Sequence, residues 1–369
     1  MGVRSRALEG LEVKSAAPSA GFWRGRRVLL TGHTGFKGGW AALWLRRLGA
    51  VTTGFALAPT INPSLFELAE IGRDLDSRIG DVRSRQALRE AVDAAAPEVV
   101  LHFAAQPIVR QGIAAPVATF DVNVMGTVNL LEALRLRPGA TRILVVTSDK
   151  VYANAEAGHA FRERDRLGGK EPYSASKAAV ELVTAAYRAT YFAPKGVAVA
   201  TARGGNVVGG GDFGEDRLVP DVVRAWSARS RPTLRMPHAT RPWQHVLDCV
   251  AGYLVYAERM GDASIPAALN FGPASAGSVT VADLTRAMLR ALGAEPEFDA
   301  ADDGSTANEM SALGVDSRLA EETIGARNRL DATRAVEWTA DWYKRARSGE
   351  NPRTTTLDQI EAWTALGES

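Results

Sequence analysis

Apolar positions along the chain follow two alternating rhythms. Val28-Leu29-Leu30 is an unbroken apolar run between Arg27 and the turn at Gly32, the pattern of a strand buried on both faces. Trp40, Leu43, Trp44 and Leu48 then recur at helical spacing, and Gly49 ends the run. The pairing repeats. A strand is predicted over Val51 to Phe55, a helix over Gln86 to Ala95 and a strand over Glu98 to Phe103. Asn123 to Leu136 reads as a helix, Arg142 to Val146 as a strand, Tyr173 to Tyr191 as a long helix and Val197 to Ala202 as a strand. Strands alternating with helices at this spacing predict an α/β fold, a doubly wound parallel sheet with helices on both faces.

The rhythm loosens after Arg203. Gly204, Gly205, Gly209, Gly210, Gly211 and Gly214 crowd together, which predicts a loop, and loops carry sites. The expected organisation is a flexible tail over 1–21 and a sheet domain over 22–203 that regains about 244–274. A smaller mixed α/β lobe takes 204–243 and about 275–369. No internal repeat or heptad run is present.

Composition narrows the class. Of 369 residues, 46% are hydrophobic and 23% charged, as in an ordinary globular protein. Net charge is +2 without a basic block, which argues against a nucleic-acid partner. Cys249 is the single cysteine, so no internal disulfide forms, and a reducing, cytoplasmic setting is expected. No apolar run approaches the ~20 residues of a membrane helix. The first residues lack the apolar core of a signal peptide.

Gly32, Gly35 and Gly38 form G-x-x-G-x-x-G directly after the first strand and at the start of a helix. Glycine lets the backbone turn tightly and approach a pyrophosphate, and the helix N-terminus offers it free N–H groups. A dinucleotide-binding Rossmann domain is therefore expected. Asp81 ends the third strand, where an acid can accept from adenine, and Ala104 and Ala105 end the fourth, where small side chains admit a cofactor. The acid that often serves the NAD ribose is absent from Phe55-Ala56-Leu57-Ala58-Pro59, and Lys37 sits inside the glycine loop. These two features leave NADP open as the cofactor.

Tyr173 and Lys177 stand four residues apart on one helix face, so an ammonium neighbours a phenol and is expected to favour the phenolate. Ser148 lies just beyond the strand ending at Val146. Such a pair alone is commonly a surface feature; its place after a glycine loop and a strand-end serine points to catalysis. Asp149 and Lys150 follow Ser148. They form either an ion pair shaping a turn or the acid and base of an elimination.

Several runs resemble CDP-glucose 4,6-dehydratases of the extended short-chain dehydrogenase/reductase superfamily. They are Thr31 to Gly38 with Trp40, Pro63 to Glu67, His102 to Pro107, Asn123 to Thr127 and Thr147-Ser148-Asp149-Lys150. Pro172-Tyr173-Ser174-x-Ser176-Lys177, Gly205 to Asp212 and Arg241-Pro242-Trp243-Gln244-His245-Val246 extend the match across roughly 22–275. The resemblance implies transient oxidation of a sugar at C4 with Tyr173 as base. Lys150 then removes the C5 proton, Asp149 protonates the departing 6-hydroxyl, and hydride returns to C6. It places Gly32, Thr34, Gly35, Phe36, Lys37 and Gly38 at the cofactor. Asp81, Val82, Ala104, Ala105 and Gln106 belong there too, with Asn123, Thr147, Tyr173, Lys177 and Arg203. Toward the substrate, CDP-glucose or a related nucleotide sugar, it places Gln106, Ser148, Asn206, Arg217, Leu218, Arg241 and His245. It implies NAD as the cofactor and no metal.

The last third departs from these relatives, with Asn308-Glu309, Leu313-Gly314-Val315-Asp316 and Gly325-Ala326-Arg327-Asn328-Arg329 where other residues are usual. The base-gripping lobe is thus the least constrained. An epimerase or reductase on the same scaffold needs Ser148, Tyr173 and Lys177 but neither Asp149 nor Lys150; a dinucleotide sensor needs none of them. Val180, Leu182, Val183, Ala186 and Tyr187 widen the apolar face of the Tyr173 helix, as in relatives that pair through it. A homodimer or dimer of dimers is expected.

Overall fold

A computed structural model describes residues 16–154, 159–273, 279–301 and 313–367. Seven strands form one parallel sheet: β1 (Arg27–Thr31), β2 (Val51–Ala56), β3 (Asp76–Ile79), β4 (Val99–His102), β5 (Arg142–Val146), β6 (Ala198–Gly204) and β7 (Ala268–Phe271). Their spatial order is β7-β6-β5-β4-β1-β2-β3, with Val28 opposite both Thr52 and Val99. The chain runs outward from β1 to β3, then crosses back to place β4 on the other side of β1. That reversal opens a crevice beyond the carboxyl ends of β1 and β4, where ligands of such sheets bind.

Helices cover both faces because the strands are apolar on both. On one face α1 (Phe36–Arg47) and α6 (Val246–Arg259) bury Trp40, Leu43, Trp44, Tyr253 and Leu254. On the other, α2 (Arg85–Ala95), α3 (Gly126–Leu136) and α4 (Pro172–Tyr187) bury Leu88, Leu130 and Val180. The helix expected to run to Tyr191 leaves α-geometry at Arg188 and finishes as a π turn through Phe192. Its start is set by Pro172, which needs no N–H donor, and by Glu171, whose carboxylate accepts from the backbone N–H groups of Tyr173 and Ser174.

The second lobe is built from short strand pairs and α5 (Leu218–Ser227), α7 (Val281–Ala291) and α8 (Ala332–Arg347). Thr240–Arg241 pairs with Val279–Thr280, and Thr233–Leu234 with Asp299–Ala300. The last helix, α9 (Pro352–Ala365), bridges the two lobes. Trp342 Nε1 of α8 donates to its Thr356 at 3.0 Å, while its Trp363 meets Trp44 of α1 edge-on at 5.2 Å. Residues 16–21, expected within a mobile tail, are pinned as well. Ala16 N–H donates to Gly325, Ser19 N–H to Glu258, and Trp23 is fully buried.

Gly209, Gly210 and Gly211 have a packing origin. A Cβ on Gly210 would stand 1.9 Å from Trp342 and one on Gly211 2.7 Å from Leu65. Trp40 Nε1 donates to the Gly210 carbonyl at 2.9 Å, tying the cofactor helix to this loop.

Between β5, β6 and α4 lies a buried ion pair, Arg203 with Glu181 at 2.7 Å, both side chains about 5% exposed or less. Removing one member leaves a bare charge in the core. Arg203→Met is therefore expected to lose about 3–5 kcal/mol of stability, read from a urea unfolding midpoint; a loss under about 1 kcal/mol would contradict the burial argument.

Candidate active site

A cleft of about 300 Å³ opens at the carboxyl ends of β5 and β6, walled on its far side by the second lobe. That is the lower end of the range for small-molecule sites. Lys37 enters it from the start of α1, Ser148, Asp149 and Lys150 from the end of β5, and Tyr173 from the first turn of α4. Asn206, Arg217, Leu218 and Arg241 face them from the other side.

Ser148 caps a single 3-10 turn, Asp149–Val151. Its Oγ accepts from Lys150 N–H at 3.2 Å and donates to Asp149 Oδ1 at 2.9 Å. Asp149 is 2% exposed, and its Oδ2 has no partner among the described residues. Burial raises the carboxyl above its ordinary value, with Lys150, Ser148, Arg241 and Lys37 pulling the other way. A buried acid of this kind holds its proton and can deliver it.

Tyr173 and Lys177 share a helix face, but their ionisation differs from expectation. Burial pushes the Tyr173 phenol up to about 12, opposed chiefly by the hydrogen bond to Ser148. Lys177 falls to about 7 through burial first and the Lys37 charge second, and its Nζ donates to the Val146 carbonyl at 3.1 Å. The spacing put an ammonium beside the phenol; burial of both groups instead pushes each toward its neutral form.

The glycine loop fits a dinucleotide. Gly32 adopts φ +80°, and a Cβ there would lie 2.8 Å from Ala104 N. One on Gly38 would lie 2.0 Å from the Gly32 carbonyl oxygen, so the loop folds back on itself only with glycine. Gly35 caps α1 without any side-chain bond, and only the Gly32 oxygen, at 3.4 Å, approaches its missing Cβ. The first N–H groups of α1 therefore face open space, the arrangement a pyrophosphate needs. Phe36 lines the cleft, and Thr34 Oγ1 donates to the Leu57 carbonyl at 2.9 Å, closing the end of β2. No acid stands there. The His33 ring instead packs on Gly54 and bonds Ser77 at 2.8 Å. Asp81 and Val82 follow the end of β3, and the Asp81 carboxylate is held by Arg83, at 2.6 Å from its Nη2. Ala104 and Ala105 lie half-buried beside the loop.

Four expected ligands have structural duties instead. His245 is fully buried, its Nδ1 accepts from Leu247 N–H at the start of α6, and burial lowers it to about 3, so it does not reach the substrate cleft. Gln106 spends its side chain on Thr119 and Ile108 N–H. Asn123 bonds Gln106 and Ser176. Arg203, expected at the cofactor, is consumed by Glu181, Tyr152 and the Glu163 carbonyl. In each case a polar residue beside a motif satisfies buried neighbours. Thr147 lines the cleft, yet its hydroxyl is taken by Glu181 at 2.6 Å.

Other residues in the cleft gave no sequence signal. Arg110 and Arg235 approach from opposite lobes and both donate to Asp216, at 3.1 and 3.0 Å. Arg217 pairs with Asp212 at 3.0 Å, and Asn206 keeps a buried Nδ2 without a partner among the described residues. Asn308-Glu309 lie outside the described residues. Leu313 and Val315 pack with Phe161, and Arg329 and Leu330 N–H donate to Asp248, so these described departures sit away from the cleft.

Residues 28–272 match the NAD dependent epimerase/dehydratase family. The chain is 39% identical to the CDP-glucose 4,6-dehydratase of Salmonella typhimurium over 89% of its length and 94% of the relative's. It is 30% identical to the dTDP-glucose 4,6-dehydratase of Streptomyces antibioticus, over 88% and 94%. Among solved structures, the dTDP-glucose 4,6-dehydratase of Bacillus anthracis in complex with NAD superposes with a TM-score of 0.72 at 20% identity, over 88% of this chain and 99% of that one. The UDP-glucose 4-epimerase of Bifidobacterium longum in complex with NAD+ and UDP reaches 0.77 at 20%, over 87% and 99%. These two share the fold. The chain belongs to the NAD dependent epimerase/dehydratase family.

Proposed function

We propose that this protein is an NAD-dependent nucleotide-sugar 4,6-dehydratase that converts CDP-glucose to CDP-4-keto-6-deoxyglucose and water. The observation that carries this reading is a buried Asp149 and an adjoining Lys150 in the same cleft as Tyr173. Oxidation and re-reduction at C4, as in a 4-epimerase, call for no second acid and amine; an elimination across C5 and C6 uses both.

When bound, NAD supplies the acceptor for hydride from C4 and the donor of hydride to C6. Tyr173 accepts the proton of the 4-hydroxyl. The bond from Ser148 and the charge of Arg217 both favour its phenolate. The resulting 4-ketone acidifies C5–H, and Lys150 removes that proton. Asp149 delivers a proton to the departing 6-hydroxyl, which leaves as water. Once C6 has been reduced, Lys150 returns its proton to C5, and the proton taken by Tyr173 from the 4-hydroxyl balances the one Asp149 lost. Arg217, Arg241 and Asn206 offer donors to the diphosphate, where planar guanidinium groups suit paired oxygens. The free N–H groups of α1 hold the dinucleotide phosphates.

The nucleotide is tested by competing CDP-, dTDP-, UDP- and GDP-linked hexoses. CDP-glucose is expected to show the highest kcat/KM, and faster turnover of another base would overturn the assignment. NAD, released on denaturing the purified protein, is the expected dinucleotide; NADP as the main species would contradict it.

A homodimer follows from the face that α4 shares with the segment before α3. Val117 is 81% exposed and Leu182 64%, and Ile113, Phe120, Met125 and Tyr191 lie exposed as well. An apolar face of this kind is covered by another chain. Light scattering at micromolar concentration is expected to give twice the chain mass, and Leu182→Glu with Val117→Asp is expected to give a monomer. A monomeric wild type would refute the dimer. Among the described residues no helix is long and apolar enough to cross a membrane, and we assign a cytoplasmic location on the buried free thiol of Cys249.

A further inference from the structure

Neither the glycine loop nor the reacting groups account for the buried polar network behind β5. Glu181 lies one helical turn beyond Lys177. Its Oε1 accepts from Thr147 Oγ1 at 2.6 Å, and its Oε2 accepts from Thr201 at 2.8 Å and Arg203 at 2.7 Å. Arg203 in turn donates from Nη1 to Tyr152 Oη at 2.9 Å, and Tyr152 donates to Asn270 Oδ1 at 2.6 Å. All of these residues are buried. Thr147 immediately precedes Ser148-Asp149-Lys150, and Tyr152 follows two residues after Lys150.

We propose that the Glu181–Arg203 pair is a positioning device for the elimination step, gripping the Asp149–Lys150 turn from both ends. The inference rests on the dehydratase reading. That turn is one 3-10 cycle, capped by Ser148, closed by a long Val151 N–H bond of 3.4 Å to the Ser148 carbonyl and touched from Gly168 N–H at Val151. Such short helices hold their shape poorly unaided. Here the entrance is fixed by Thr147 on Glu181 and the exit by Tyr152 on Arg203, and the two anchors are joined by a charge-assisted bond. Arg203 also sits 5.3 Å from the Tyr152 ring centroid, so the exit is held by ring and hydroxyl together. α4 carries Tyr173 at its start, capped by Glu171, and Glu181 further along, so the entrance anchor ties the turn to that helix. The Tyr152 anchor lies on the Lys150 side of the turn and bonds neither Tyr173 nor Ser148, so this end of the device serves Asp149 and Lys150.

Arg203 or Glu181 variants would leave a bare buried charge and lower stability as well as position, so the test removes the single hydroxyl of Tyr152. The full chain with its bound NAD is mixed with CDP-glucose in deuterated water. Reduction of bound cofactor, exchange at C5 and loss of water are followed separately. In Tyr152→Phe, which keeps the ring and removes only the hydroxyl, C5 exchange is expected to fall roughly 10- to 100-fold, the range for a slightly misplaced reacting group, while cofactor reduction and KM stay within about 3-fold. Parallel loss of both half-reactions, or unchanged exchange, would overturn the inference alone. A wild type that reduces no cofactor and releases no water with any nucleotide hexose would overturn the dehydratase reading and this inference with it.

Discussion

Lys150→Met is expected to separate the two halves of the reaction. Methionine keeps most of the side-chain volume and removes the amine. Tyr173, Ser148 and Lys177 remain, so bound NAD should still be reduced on mixing with CDP-glucose. The C5 proton then has no acceptor. Its exchange with solvent and the loss of the 6-hydroxyl should each fall by about 10²–10⁴-fold, the contribution of one acid–base group. A reduced cofactor and a 4-ketone intermediate should accumulate on the protein. Normal C5 exchange in this variant would assign Lys150 to an ion pair with Asp149 that merely shapes the turn.

Gly38→Ala is expected to abolish cofactor binding. The added methyl would stand 2.0 Å from the Gly32 carbonyl oxygen and 3.0 Å from the His33 Cα, both backbone atoms that cannot swing away. Relieving the clash must open the loop, which moves the α1 N–H groups off the pyrophosphate. Overpacking of this kind also costs about 1–3 kcal/mol in a close-packed interior. The purified variant should carry almost no dinucleotide and melt below wild type. Gly35→Ala meets only the Gly32 oxygen, at 3.4 Å, and should fold normally while losing affinity, because its methyl enters the space the phosphates need. Full cofactor content in Gly38→Ala would contradict the folded-back loop.

Periodicity carried the sheet domain well, since its strands are buried on both faces and its helices repeat at regular intervals. The motifs also put Ser148, Asp149, Lys150, Tyr173 and Lys177 together, because strand ends and a helix start are reached by counting along a regular fold. Two kinds of information were out of reach. The first is the partner of a buried polar group. Arg203 and His245 stand beside motifs but face inward, and only the packing of α4 and α6 reveals that Glu181 and the Leu247 N–H claim them. The second is ionisation. The Tyr173–Lys177 spacing says nothing of burial, and burial decides that Lys177 falls to about 7 while Tyr173 rises to about 12. The glycines at 209–211 posed the opposite problem: they read as a ligand loop, but at 210 and 211 the space is filled by Trp342 and Leu65.

The central claim is an internal oxidation that ends in loss of water, and an isotope placed at one carbon tests it. CDP-glucose carrying deuterium at C4 is incubated with the protein and no added NAD, and the product is analysed by mass and by NMR. The account predicts a product lighter by one water, a ketone at C4, and the deuterium found at C6 in the same molecule. Deuterium still at C4 with the mass unchanged, or an epimer of the starting sugar, would contradict it.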